Sequence, residues 1–193
     1  MSDGEKLHIF VVYVDDLPGV LNRIASLFRR RAFNIESLTV GHTEMPGISR
    51  MTIVSRINEG AAHRVEANIY KLVNVLAVQD VTHSSTVSRS LALIKVQARE
   101  DSRHRLMEIV RVFRARVVDL APESLIIEST GAEERIEALV EVLRPFGILE
   151  MARTGRLAMT RGAERSAREV LSPESAEQPR KSSEHAVGAS HSV

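Results

Sequence analysis

The residues of this chain best suited to holding a small charged ligand are six in a row, Asp15-Asp16-Leu17-Pro18-Gly19-Val20. They separate an apolar run, His8 to Val14 (HIFVVYV), from apolar residues at three- and four-residue spacing, Val20, Leu21, Ile24, Leu27 and Phe28, a stripe that closes on Arg29-Arg30-Arg31. That pattern predicts a strand, a turn and an amphipathic helix. Proline suits the first turn of a helix, where its missing N–H had no partner, and Gly19 removes the Cβ that would hold a ligand off the backbone. The free N–H groups of such a turn, with the helix dipole behind them, favour a carboxylate by roughly 0.3–2 kcal/mol. Asp16, or a side-chain amide from a neighbouring strand, would take the ammonium end of the same zwitterion. Read without its surroundings, the turn serves first as punctuation between strand and helix with Asp16 as the cap, and an amino-acid pocket is the alternative.

Other chemistry is scarce. The patterns G-x-S-x-G, H-E-x-x-H, P-loop and G-x-G-x-x-G are absent, and a chain without cysteine has no thiol nucleophile, thiolate metal site or disulfide. His8, His42, His63, His83, His104, His185 and His191 stand singly, none paired at a helical metal-ligand spacing. Asp15 and Asp16 adjoin on an extended segment, so their side chains point apart and do not read as an acid–base pair. A formal net charge of +1 and 4% aromatic residues offer neither the field nor the stacking surface that nucleic acid or an anionic membrane would use. No apolar run approaches the roughly 20 residues that span a bilayer. The absence of cysteine fits a reducing compartment, and the expectation is a soluble, cytoplasmic, non-catalytic protein with no metal or cofactor of its own.

The turn must be positioned by what surrounds it. With 44% hydrophobic and 26% charged residues the chain has material for a real core. After the strand His8–Val14 and the helix from Val20, strands are predicted over Asn34–Val40 and Arg50–Ile57, a helix over Arg64–Leu72 and a strand over Val73–Val81. This βαββαβ order is the ferredoxin-like pattern. It then restarts: Leu91–Ala98 as a strand, a helical face at Leu106, Ile109, Val110 and Phe113, short strands Val117–Leu120 and Leu125–Glu128, a helix over Ile136–Leu143, and a last strand from Ile148. Leu27-Phe28-Arg29 is echoed weakly by Val112-Phe113-Arg114. The expectation is therefore an α+β protein of two tandem ferredoxin-like modules, residues 1–83 and 84–162. Residues 163–193 are expected to form a disordered tail, dispensable for folding, because they are too poor in apolar side chains to offset their ordering entropy. Modules of about 80 residues bury little surface and leave open sheet edges, so a dimer is expected.

D-D-L-P-G-V-L (Asp15 to Leu21), R-R-A-F-N-I-E-S-L-T-V (Arg30 to Val40), S-R-M-T-I-V (Ser49 to Val54) and K-L-V-N-V (Lys71 to Val75) together resemble the acetohydroxyacid (acetolactate) synthase small subunit. The likeness continues through L-A-L-I-K-V-Q-A (Leu91 to Ala98), V-F-R-A-R-V-V-D-L (Val112 to Leu120), E-S-L-I-I-E (Glu123 to Glu128) and R-T-G-R-L-A-M-T-R-G (Arg153 to Gly162). A Pro-Gly turn marks only the broad ACT-domain class of amino-acid sensors; F-N-I-E-S-L-T-V with S-R-M-T-I is specific to this subunit.

The resemblance implies an N-terminal ACT domain that pairs into a continuous sheet as a homodimer, with valine or a related branched-chain amino acid bound where two copies meet. It implies a regulatory subunit that stimulates a separate catalytic subunit and confers feedback inhibition on branched-chain amino-acid biosynthesis. Carried over position by position, the effector-binding residues are Asp16, Leu17, Gly19 and Val20 of one chain with Asn34 and Ile35 of the other. The N–H groups of Gly19 and Val20 would take the carboxylate, Asn34 the polar end, and Val20 and Ile35 the branched side chain. Asp16 departs from the Asn that many members carry. The second module lacks an equivalent Pro-Gly turn, its link being Arg99-Glu100-Asp101-Ser102, and should not bind effector the same way. Thiamine diphosphate, magnesium and FAD are implied for the catalytic partner and none for this chain. Arg29, Arg30, Arg31 and Arg50 either touch that partner or are solvated cations. Two rivals are a stand-alone ACT-type sensor controlling another protein and a ferredoxin-like RNA binder, the second weakened because Arg50–Ile57 contains no aromatic residue.

Overall fold

The computed structural model describes residues 4–162 and 167–171. The N-terminal module runs β1 (Lys6–Asp15), α1 (Val20–Arg30), β2 (Ser37–His42), β3 (Ile48–Ile57), α2 (Glu59–Tyr70) and β4 (Val75–Asp80), and its antiparallel sheet has the order β2-β3-β1-β4. Strand β1 lies inside the sheet with both faces covered, which is why Ile9 to Val14 are all apolar: Phe10, Val12 and Val14 face the helices, while Val11 and Tyr13 belong to a separate buried cluster with Ala77 and Val81. Helix α1 lays Val20, Ile24, Leu27 and Phe28 on the first of these cores. Helix α2 starts five residues before the expected Arg64 because Asn58 caps it, its side-chain carbonyl accepting the Ala61 N–H at 2.8 Å. Strand β2 starts at Ser37, three residues later than expected, so Asn34 lies in the connection, with its carbonyl accepting the Ser55 hydroxyl at 2.6 Å.

The second module repeats the order: β5 (Thr86–Gln97), α3 (Glu100–Val112), β6 (Arg116–Leu120), β7 (Ser124–Gly131), α4 (Glu133–Leu143), a 3-10 turn (Arg144–Phe146) and β8 (Ile148–Arg153). Its sheet order, β6-β7-β5-β8, matches the first. The two helix ends show the true internal register. The Phe33 N–H bonds to Phe28 O past Ala32 at φ 56°, and the Ala115 N–H bonds to Val110 O past Arg114 at φ 45°. Phe28 is therefore the counterpart of Val110, not of Phe113, and the echo of three residues read from the sequence is displaced by one helical turn.

The last strand and the residues just before it carry the ties between the modules. Beyond its pairing with β7 and β8, the first part of β5 pairs with β9 (Leu157–Thr160), a strand not foreseen as separate from β8. Arg50 donates to the Ala158 carbonyl and, at 3.2 Å, to Thr52, with its guanidinium 5.9 Å from the Tyr13 ring centroid. This arginine is thus an internal tie between modules. Gly155 fits against β2 so closely that a Cβ there would lie 2.6 Å from Leu38 O, and the Arg156 N–H donates to Ser37 Oγ at 2.7 Å. Past Gly162, Ala167–Val170 form a helical turn, and Val170 and Leu171 pack against Val11, Tyr13, Ala77 and Val81. Within the segment expected to be a disordered tail, this turn and Leu171 are the described residues, and the rest of 163–193 lies outside them.

Candidate functional site

Strand β1 ends in a junction fixed from both sides. The Asp15 N–H bonds to Asn74 O and the Asn74 side-chain amide to Asp15 Oδ2, each at 2.9 Å. The Asp16 N–H bonds to Gly47 O at 2.8 Å, in the β2–β3 connection. The Asp16 carboxylate accepts the Ser49 hydroxyl at 3.1 Å and faces His42 Nδ1 at 3.3 Å. Its two oxygens are held by the β2–β3 hairpin, so Asp16 does not cap α1.

The residue at the cap is Gly19, at φ 86°, and Pro18 precedes it instead of occupying the first turn of the helix. The left-handed backbone requires glycine there, since an L side chain costs about 1–2 kcal/mol in that region. A Cβ on Gly19 would meet nothing within 4 Å, so the space before the helix is open. No side chain caps α1 and none in its first turn is acidic, whereas α2, α3 and α4 begin with Glu59, with Glu100 and Asp101, and with Glu133 and Glu134. The Val20 N–H reaches Leu17 O only at 3.5 Å, and the first firm bond is the Arg23 N–H to Gly19 O at 3.1 Å. The positive end of this helix is left facing open space without its own counter-ion, an arrangement that attracts an anion.

The six expected binding residues do not all converge. Asp16, Leu17 and Gly19 share the junction, with Leu17 exposed. The Val20 side chain is 3% exposed and part of the core, so it cannot enclose a ligand, although its N–H remains at the turn. Ile35 packs partly against that core, and Asn34 is exposed at the opposite end of the sheet, because β2 runs from Ser37 opposite Val54 to His42 opposite Ser49. Within one chain Asn34 and Ile35 therefore stand about a strand's length from Gly19.

A second polar cluster escaped sequence reading. Buried His8 holds Asp80 with Nδ1 at 2.9 Å, and Glu59 lies 3.8 Å from His8 Nε2, 3.8 Å from His63 Nε2 and 3.6 Å from His83 Nε2. Positions 8, 59, 63, 80 and 83 carry no shared spacing, so only the folded sheet and the start of α2 bring them together. Among the described residues no group of His, Cys, Asp and Glu is arranged to hold a metal ion, and no helix is long and apolar enough to cross a membrane.

A βαββαβ sheet with an unfilled, glycine-capped first turn belongs to the ACT class: residues 10–77 match a family model described as an AHAS small subunit-like ACT domain. Residues 89–162 match the model for the small subunit of acetolactate synthase, and the chain belongs to that small-subunit family. Over 162 residues it is 47% identical to the acetolactate synthase small subunit of Mycolicibacterium smegmatis, covering 84% of this chain and 95% of that one. The Bacillus subtilis small subunit is 44% identical over 160 residues, 82% of this chain and 93% of the relative. The crystal structure of the Thermotoga maritima acetolactate synthase small subunit is similar at a TM-score of 0.76 and 37% identity, covering 81% of this chain and 98% of that one.

Proposed function

We propose that this chain is the regulatory subunit of an acetolactate synthase, stimulating a separate catalytic subunit and conferring feedback inhibition by valine or a related branched-chain amino acid. The observation that carries the effector site is the mouth of α1: a left-handed glycine with open space before it, on a helix whose first turn has no acidic residue. The effector carboxylate meets the first-turn N–H groups and its ammonium meets Asp16, already oriented by Ser49. A second copy completes the pocket. Strand β2 is a sheet edge with Val40, Gly41 and His42 exposed. Antiparallel pairing of two such edges sets the Asn34 end of one strand beside the His42 end of the other, delivering Asn34 and Ile35 to the neighbouring turn. The cofactors of the reaction belong to the catalytic partner.

Mixing this chain with an acetolactate synthase catalytic subunit and following pyruvate consumption tests the reading. The chain alone should turn over no pyruvate, should raise the catalytic subunit's rate, and should make that rate valine-sensitive. Failure to stimulate would favour a stand-alone sensor. A ligand of about eight heavy atoms that must shed water from two charges is expected to bind in roughly the micromolar to millimolar range, measurable by calorimetry without metal or nucleotide. Gly19→Asp and Asn34→Ala should each weaken both pockets of a homodimer, whereas mixed dimers of the two variants regain one at parental affinity; absence of that rescue would rule out a shared pocket.

A further inference from the structure

We infer that Val170 and Leu171 anchor a turn of the chain on the helix-free face of its own N-terminal sheet and so close the apolar half of that face. That face has two halves of different chemistry. On the β2–β3 half it presents Ser37, Thr39, Arg50 and Thr52, and the second module covers it with polar ties, the Arg156 N–H to Ser37 Oγ and Arg50 to the Ala158 carbonyl. On the β1–β4 half it presents Val11, Tyr13, Ala77 and Val81, none more than 6% exposed. The partly buried apolar side chains packed on this second half are Ile9 and Ile48 from the sheet itself, and Val170 and Leu171. Among the described residues, the apolar side chains from beyond the module's own strands that pack on this half are those of the anchor.

An uncovered apolar patch on a sheet marks a surface for another protein. Here the occupant is supplied in cis. The family match ends at residue 162, so the anchor lies beyond the residues the family model covers. It follows Gly162 by only a few residues, so docking is intramolecular, at high effective concentration and independent of how dilute the protein is.

The test compares the full-length protein with a full-length Val170→Asp/Leu171→Asp double variant and a Leu171→Met control, by amide hydrogen exchange and by fluorescence of an apolar dye. The double variant should bind dye, and the amides of Val75–Asp80, on the sheet edge beneath the anchor, should exchange roughly tenfold faster while those of Ser124–Gly131 in the second module stay as they were. Leu171→Met should match the parent, and a chain ended after Gly162 should match the double variant. Parental exchange and dye binding in the double variant would overturn the inference. So would equal acceleration in both modules, which would mean general destabilisation with no particular face exposed.

Discussion

The two modules share a strand order but differ at the join between first strand and first helix. In the second module a single residue, Arg99, separates Ala98 from the start of α3 at Glu100; in the first, Leu17, Pro18 and Gly19 separate Asp16 from α1. The residues four beyond the two caps are both arginines and they do opposite things. Arg103 turns back over the junction and donates to the carbonyls of Ala98, Ala121 and Pro122, sealing it. Arg23 instead leans toward β4 and donates to the Asn74 side chain at 3.1 Å, leaving the mouth of α1 clear. The α3 dipole is answered by Glu100 and Asp101, that of α1 by nothing in its first turn. A duplicated fold has thus kept one mouth open and closed the other, and two residues of turn length with the direction of one guanidinium make the difference.

The comparison breaks if emptying the second module's core abolishes effector binding as fully as emptying the first's. Phe28→Ala should cost about 3–5 kcal/mol of stability and take valine binding with it, while Leu106→Ala, at about 2–5 kcal/mol, should leave binding intact wherever the protein remains folded. Denaturant titration with parallel calorimetry reads both. Gly19→Asp probes the open mouth itself: a charge set before the first-turn N–H groups should lower valine affinity by about 2 kcal/mol, near 30-fold, with stimulation of the catalytic subunit preserved. Full valine sensitivity in a folded, dimeric Gly19→Asp protein would remove this turn from the effector site. Arg103→Ala unseals the other mouth and should cost about 1.5 kcal/mol through the carbonyls it leaves without a donor. Its valine response should not change, so an altered response would show that the second junction has a share in regulation. The smallest effect is Asn58→Ala, about 1 kcal/mol through a lost helix cap, with Asn58→Ser restoring most of it in thermal melts.

Legibility followed locality. The two-sided apolar run of β1 and the stripe of α1 were plain in the sequence because burial on a sheet or helix imposes a period on neighbouring residues. The glycine of the turn was visible too, although its left-handed backbone was not, nor that Asp16 would turn from the helix to Ser49 and His42. The double role of Val20 is not legible, because the first residue of α1 serves the core with its side chain and the turn with its N–H, and sequence does not separate the two. The start of β5, T-V-S-R-S, mixes polar and apolar residues in a way that reads as loop, and it becomes strand only because β9 returns to pair with it. The imidazoles around Glu59 and the sealing role of Arg103 depend on contacts between residues distant along the chain.

Strand β5 has one consequence of a mechanical kind. Its twelve residues span roughly 40 Å as a single unbroken rod, clamped by β7 and β8 through its second half and by β9 through its first, where Arg50 pins the arm to the N-terminal sheet. A rod held at both ends cannot bend freely at its middle. A tilt of the N-terminal sheet beneath Arg50 would therefore reach the second module through this arm.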